Sequence, residues 1–325
     1  MEEKKIFKVT SNPILRTPRG TRQIMLDVII GLIPALAVAV YMFGANVVLL
    51  LAVSIVSCVF FEWGYRKLMK KNSTVGDLSA VVTAILLVCV LPSEAKWWMV
   101  VIGSFFSVVV VKQLYGGIGK NFLNPALAGR AFLTAAYAGY MTVWAVPSVL
   151  SGAVDAATMA TPLSYLYSGQ PLPEYMGLGS IFLGGIPGSV GEISTLAVLI
   201  GGLWLLARKV ISWRIPVAYI GAVAVLTLVF NKGDDAFLWM LYSVMGGGVM
   251  LGAIFMATDY VTSPAMPAAQ LVYGVGCGVL TVIFRYFGLF PEGVTYAILI
   301  MNACAWALDK AVPVKRFGVK GGAGK

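Results

Sequence analysis

The chain has 325 residues, of which 59% are hydrophobic and only 12% charged, with no histidine and a net charge of +10. Soluble domains carry about 25% charged residues, so a soluble globular protein is excluded, as are histidine-ligated haem, histidine metal sites and histidine proton relays. Lys and Arg gather in short segments between apolar runs rather than in one patch, which reads as membrane orientation and not as nucleic-acid binding.

The N-terminus (Met1-Glu2-Glu3-Lys4-Lys5-Ile6) is polar and the first apolar run starts near Ile24, so no cleavable signal peptide is expected. About ten spans follow, near 24–44, 46–65, 78–92, 96–112, 125–146, 191–207, 214–230, 236–256, 268–287 and 294–312. Basic clusters precede the first span and follow the second, fourth, sixth and tenth, as with Arg66, Lys67, Lys70 and Lys71, or Arg208, Lys209 and Arg214. All fall on the N-terminal side if spans alternate, which predicts cytoplasmic termini. The expected division is a cytoplasmic segment 1–23, five helices over 24–146, an extracytoplasmic loop 147–190, five helices over 191–312 and a basic tail 313–325.

The long loop lies in a window, Ala131 to Ala207, without Lys or Arg. It is rich in Pro and Gly and carries Tyr165, Tyr167, Tyr175 and Phe182, more aromatic than a disordered linker, so a packed, partly re-entrant cap is expected. A faint internal repeat pairs Gly76-Asp77-Leu78-Ser79 with Ala257-Thr258-Asp259-Tyr260, each followed later by an asparagine, Asn124 and Asn302. Five spans per half require the halves to be inverted in the bilayer, a pattern that places ligand or ion paths at interrupted helices.

Charges in or beside spans need partners or function. Asp27 and Asp309 stand near cytoplasmic ends and are expected to be solvated at the interface. Asp77 and Asp259, at the interrupted segments, are candidates for ion or cofactor contact. Lys112, Arg130 and Arg285 are the bases; Arg130, following Asn124-Pro125-Ala126-Leu127-Ala128-Gly129, suits a phosphate, a carboxylate or a structural ion pair. Asn124 and Arg130 are thereby candidate cofactor contacts. Cys58, Cys89, Cys277 and Cys304 lie in apolar runs with no CxxC pair, so they read as buried hydrophobes and no metal site is expected.

Asp155, Thr158 and Thr161 follow one another at intervals of three residues, which suits a helix N-cap closed by Pro162. The residue before a proline is extended, so the Thr161 hydroxyl is expected to be exposed. The Asp155-x-x-Thr158-x-Ala160-Thr161 pattern resembles the flavinylation motif at which FMN is joined through its phosphate to the last threonine, with Met159 where Gly is usual. Asp27 to Ala35, Asp77 to Pro92, Gly119 to Ala126 with Gly129 to Phe132, and Met256 to Pro264 resemble the NqrB/RnfD family, found in Rnf and Na+-translocating NADH:quinone reductase complexes, with Tyr260 in place of an expected proline. The likeness covers essentially the whole chain, and the short N-terminal segment resembles the RnfD branch.

The resemblance implies an all-α polytopic membrane protein of about ten transmembrane helices in two inverted five-helix repeats, similar to urea and ammonium transporters. It implies one component of a bacterial cytoplasmic-membrane complex moving electrons between ferredoxin and NAD+, coupled to Na+ or H+ translocation and inactive alone. Thr161 would carry covalent FMN, with Asp155 and Thr158 completing the attachment motif, and a second, non-covalent flavin (riboflavin or FMN) would lie between the repeats. Implied partners are the other Rnf subunits (A, B, C, E and G), a flavin transferase and the lipid bilayer. A channel or secondary transporter without redox role explains the repeat but not the loop motif; a passive scaffold explains neither.

Overall fold

The computed structural model describes residues 20–147, 158–233, 235–288 and 293–312. Asp155 and the basic tail lie outside the described residues, as does most of the N-terminal segment. Every regular element among the described residues is helical, and none is a strand. The elements are α1 (Thr21–Phe43), α2 (Ala45–Leu68), α3 (Ser79–Cys89), α4 (Trp97–Gln113), α5 (Pro125–Ala136), α6 (Ala138–Met141), α7 (Pro162–Tyr167), α8 (Leu178–Leu183), α9 (Thr195–Ala207), α10 (Arg214–Val229), α11 (Ala236–Met245), α12 (Val249–Met256), α13 (Pro267–Phe287) and α14 (Val294–Ala311). α4 is π-helical from Phe106 and α12 from Gly252.

α1, α2 and α13 are each long and apolar enough to cross a bilayer, which takes about 20 residues. α11 and α12 make a fourth if taken as one span, bent by 57°. α3, α4, α9 and α10 are apolar but shorter. The chain is thus an all-α, multi-pass membrane protein. Two expected spans differ in form. The one placed at 125–146 ends at Ala136, because Tyr137 leaves helical geometry at φ −135°. The one placed at 236–256 breaks at Gly246–Gly248, where Gly247 and Gly248 take φ of 64° and 71°, a region open to residues without a Cβ.

α3 is buried on nearly every side and α12 on all, the mark of central rather than peripheral helices. α2 packs on α3 and α4, α10 on α11 and α13, and α13 on α14. α1 crosses α9 at two glycines: a Cβ on Gly201 would lie 1.9 Å from the Gly31 carbonyl oxygen. Such small-residue crossings let helix backbones meet where lipid offers no hydrophobic drive to associate. Val56, Leu203, Val225 and Trp306 present apolar area outward, as a bilayer-facing surface requires.

Three expectations about individual residues need correcting. Asp27 is buried rather than solvated, because Arg208 reaches it at 3.2 Å. Asp309 is not simply hydrated: its carboxylate accepts from the amides of Ala265 and Met266 at 3.0–3.1 Å and so caps the start of α13. Cys304 is exposed, on an outer face of α14, while the other three cysteines are buried.

Candidate functional sites: a loop-side cavity and an inter-half cleft

Thr161 is the N-cap of α7, with Pro162 at the first helical position. Its backbone is extended, at φ −71° and ψ 155°, as the following proline dictates. Its hydroxyl, however, is not exposed. The residue is only 5% accessible, and Oγ1 accepts from the Ser164 amide at 3.3 Å and shares a 2.9 Å hydrogen bond with Ser164 Oγ. Capping turned the side chain inward, onto Ser164. Thr158 is exposed and sits in an extended segment whose Met159 amide donates to the Trp144 carbonyl at 3.0 Å. The two threonines therefore do not share one side of a helical turn.

Ser164 belongs to the wall of a cavity of about 510 Å³. α5 contributes Arg130 and Thr134, α7 Tyr167, the end of α13 Arg285 and Tyr286, the start of α14 Thr295 and Tyr296, and neighbouring loops Trp144 and Lys232. Three of these described lining residues are cations and none is a carboxylate. The aromatic wall is braced internally: Tyr167 meets Tyr286 edge-on at 5.2 Å, Trp239 Nε1 donates to the Tyr286 hydroxyl at 3.0 Å, and Lys232 lies 4.8 Å over the Tyr286 ring. Such a lining attracts a planar ligand carrying negative charge. Sequence reasoning singled out Arg130 and Arg285 and noted Tyr167 as part of a packed loop, but missed Ser164, Trp144, Lys232, Tyr286 and Tyr296. Ser164, three residues after a threonine that precedes proline, carried the one legible signal, a capping pattern.

The second space is a cleft of about 80 Å³ between α1, α3, α5, α9 and the segment after α12. Ser79, Lys112, Asn121, Asn124 and Asp259 supply its polar lining. Lys112 Nζ is 2.8 Å from Glu62 Oε2, both side chains almost wholly buried, and donates to Ser79 Oγ at 2.6 Å. Ser79 in turn donates from its amide and hydroxyl to Asp77 Oδ1, and Thr74 Oγ1 donates to Glu62. Asp259 accepts from Thr262 Oγ1 at 3.2 Å. Asp259 thus lines the same cleft as Lys112, and Asp77 is joined to that lysine through Ser79. Glu62, the anchor of that lysine, escaped sequence reasoning.

Asn124 and Arg130 do not share a site. Asn124 caps α5, its Oδ1 accepting from Ala126 and Leu127 amides at 3.1 and 3.3 Å, and its Nδ2 donates to the Met256 carbonyl at 3.3 Å. It lines the cleft, whereas Arg130 lines the loop-side cavity. From Asn124 to Thr134, α5 runs about 15 Å, at 1.5 Å per residue, from one space to the other. Asn302 lines neither; it accepts from the Tyr273 hydroxyl at 2.6 Å.

The model of the NQR2, RnfD, RnfE family matches residues 8–318. The chain belongs to that family. A family relative from Acetobacterium woodii, the D component of a Na(+)-translocating ferredoxin:NAD(+) oxidoreductase complex, is 45% identical over 96% of this chain and 95% of its own. Another, from Clostridium ljungdahlii, the D component of a proton-translocating ferredoxin:NAD(+) oxidoreductase complex, is 38% identical over 98% of both chains. A third, the D component of an ion-translocating oxidoreductase complex of Shewanella amazonensis, is 36% identical over 97% of this chain and 99% of its own.

Proposed function

We propose that this chain is the D-type membrane component of an ion-translocating ferredoxin:NAD+ oxidoreductase complex, and that it carries FMN joined through phosphate to Thr161. Near full-length similarity to D components of such complexes supports the first part. One observation carries the second: the Thr161 hydroxyl bonds Ser164, which walls a cavity lined by three cations and four aromatic rings. The residues fit the group. A cavity of about 510 Å³ falls within the roughly 300–1,000 Å³ typical of cofactor pockets.

FMN, when bound, supplies one-electron transfer. The chain supplies position and field. Arg130, Lys232 and Arg285 offset phosphate charge, while Trp144, Tyr167, Tyr286 and Tyr296 offer flat apolar faces and keep bulk water from much of the cavity. Attachment requires the hydroxyl to leave its cap, so a flavin transferase acts on a locally opened 158–164 segment. Asp155 and Thr158 are read as parts of the motif that the transferase recognises.

The two halves form an inverted repeat in the manner of urea and ammonium transporters, supported by like packing: α1 on α9, α5 on α14, α2 on α4 and α10 on α13. The termini face the cytoplasm of a bacterial inner membrane and the 147–190 loop faces outward, as the basic clusters favour. The other Rnf subunits exchange electrons with the flavin. Asp259, in the cleft with Lys112, and Asp77, joined to that lysine through Ser79, are the candidates for an ion path. A second, non-covalent flavin between the halves would have to widen the described cleft of about 80 Å³, since organic ligand pockets begin near roughly 300 Å³.

In-gel flavin fluorescence of the denatured chain, co-produced with the flavin transferase, tests the reading. A fluorescent wild-type band and a dark Thr161→Ala band are expected. A dark wild-type band would sink the redox assignment and leave a transporter-like membrane component.

A further inference from the structure

The break between α11 and α12 is held by a side chain that also walls the loop-side cavity. An interrupted helix leaves the last carbonyls of its first half without intrahelical partners, at the negative end of the helix dipole. Arg285 meets them. Its Nη1 donates to the Ser243 carbonyl, and its Nη2 donates to those of Gly246 and Gly247 at 3.0 and 3.2 Å. The fit is close: a Cβ on Gly247 would lie 2.5 Å from Nη2. Arg285 is only 3% exposed, and its Nε donates to nothing among the described residues. One planar cation thus stands between a helix end and a cavity, with a donor uncommitted.

We propose that Arg285 is a positioning residue that couples the charge held in the loop-side cavity to the α11–α12 break. Its present acceptors are neutral carbonyls. An ionised acceptor makes hydrogen bonds roughly twice as strong, so an anion in the cavity competes for the guanidinium. Each donor that turns to the anion leaves a carbonyl of Ser243, Gly246 or Gly247 uncapped, and the break loosens. Loss of the negative charge restores the cap. Linkage makes the effect reciprocal: a loosened break raises the affinity of the cavity for its anion by the same factor. The identity of that anion as the FMN phosphate rests on the function proposed above; the coupling does not.

The test is amide hydrogen exchange of the 243–256 peptide in the assembled complex, made with and without the flavin transferase. Inorganic phosphate is then titrated into the flavin-free form. The flavin-bearing form is expected to exchange about tenfold faster across the break than the flavin-free form, and phosphate is expected to move the latter towards the former. Arg285→Met should exchange fast whatever the cavity holds. Should that variant fail to assemble, Arg285→Lys decides, because it keeps the charge but not the fork that spans three carbonyls. Its exchange should no longer respond to phosphate. Equal exchange in all wild-type forms, or a phosphate response that survives Arg285→Lys, would overturn the proposal. A wild-type chain without covalent flavin refutes only the identity of the anion, since the phosphate titration still reads the coupling.

Discussion

The loop-side cavity and the inter-half cleft divide the chemistry of this chain between them. The cavity is roomy, and its three cations face no carboxylate in the described lining. The cleft is tight, and its lysine is already answered by Glu62 at 2.8 Å and by Ser79. One space gathers cations from three separate segments around room for a ligand; the other answers its lysine from within. The cavity should therefore lose ligand when altered and keep its fold, while the cleft should lose its fold.

That contrast can be broken by substitutions graded in effect. Glu62→Ala strands Lys112 in the interior and is expected to cost about 3–5 kcal/mol, seen as lost recovery of the heated complex. Glu62→Leu with Lys112→Met should regain most of it, because a well-packed apolar pair often matches a buried ion pair. A double variant no better than Glu62→Ala would show that the pair is needed as charge. Gly201→Ala drives a methyl against the Gly31 carbonyl and should cost about 1–3 kcal/mol in the same assay. Asn124→Ala removes the cap of α5 for about 1 kcal/mol. Lys232→Ala should change stability least, by about 0.5–1 kcal/mol from its lost contact with Tyr286, yet lower the flavin fluorescence of the chain. Normal labelling in Lys232→Ala would blur the distinction between the two spaces.

Much of the fold was legible because spans announce themselves by apolar length, and α1, α2 and α13 begin and end within a few residues of the expected bounds. The break at Gly246–Gly248 was hidden because apolar composition continues through it on both sides. The sites were less legible, for a physical reason. Arg130, Lys232 and Arg285 come from separate segments, and only packing of α5, α13 and α14 brings them to one wall. Glu62 sits in a run of aromatics and reads as an interfacial charge until α2 is laid against α4. Thr161 stood out by its motif, but its burial did not, since a capping hydroxyl and an exposed one share the same extended backbone.

The π-helical stretch from Phe106 to Gln113 carries a consequence for the genetics of this chain. A π-turn holds one more residue than an α-turn, and α-helical neighbours differ in direction by about 100°. Removing a single residue between Ser107 and Val111 would let the helix rewind as α with the side chains beyond the cut close to their present directions, whereas adding one would turn them all by about that angle. Lys112 would then swing away from Glu62, although no residue of the cleft had been substituted. Phase, as much as composition, keeps that lysine in place, so insertions here should be harsher than exchanges or a single deletion.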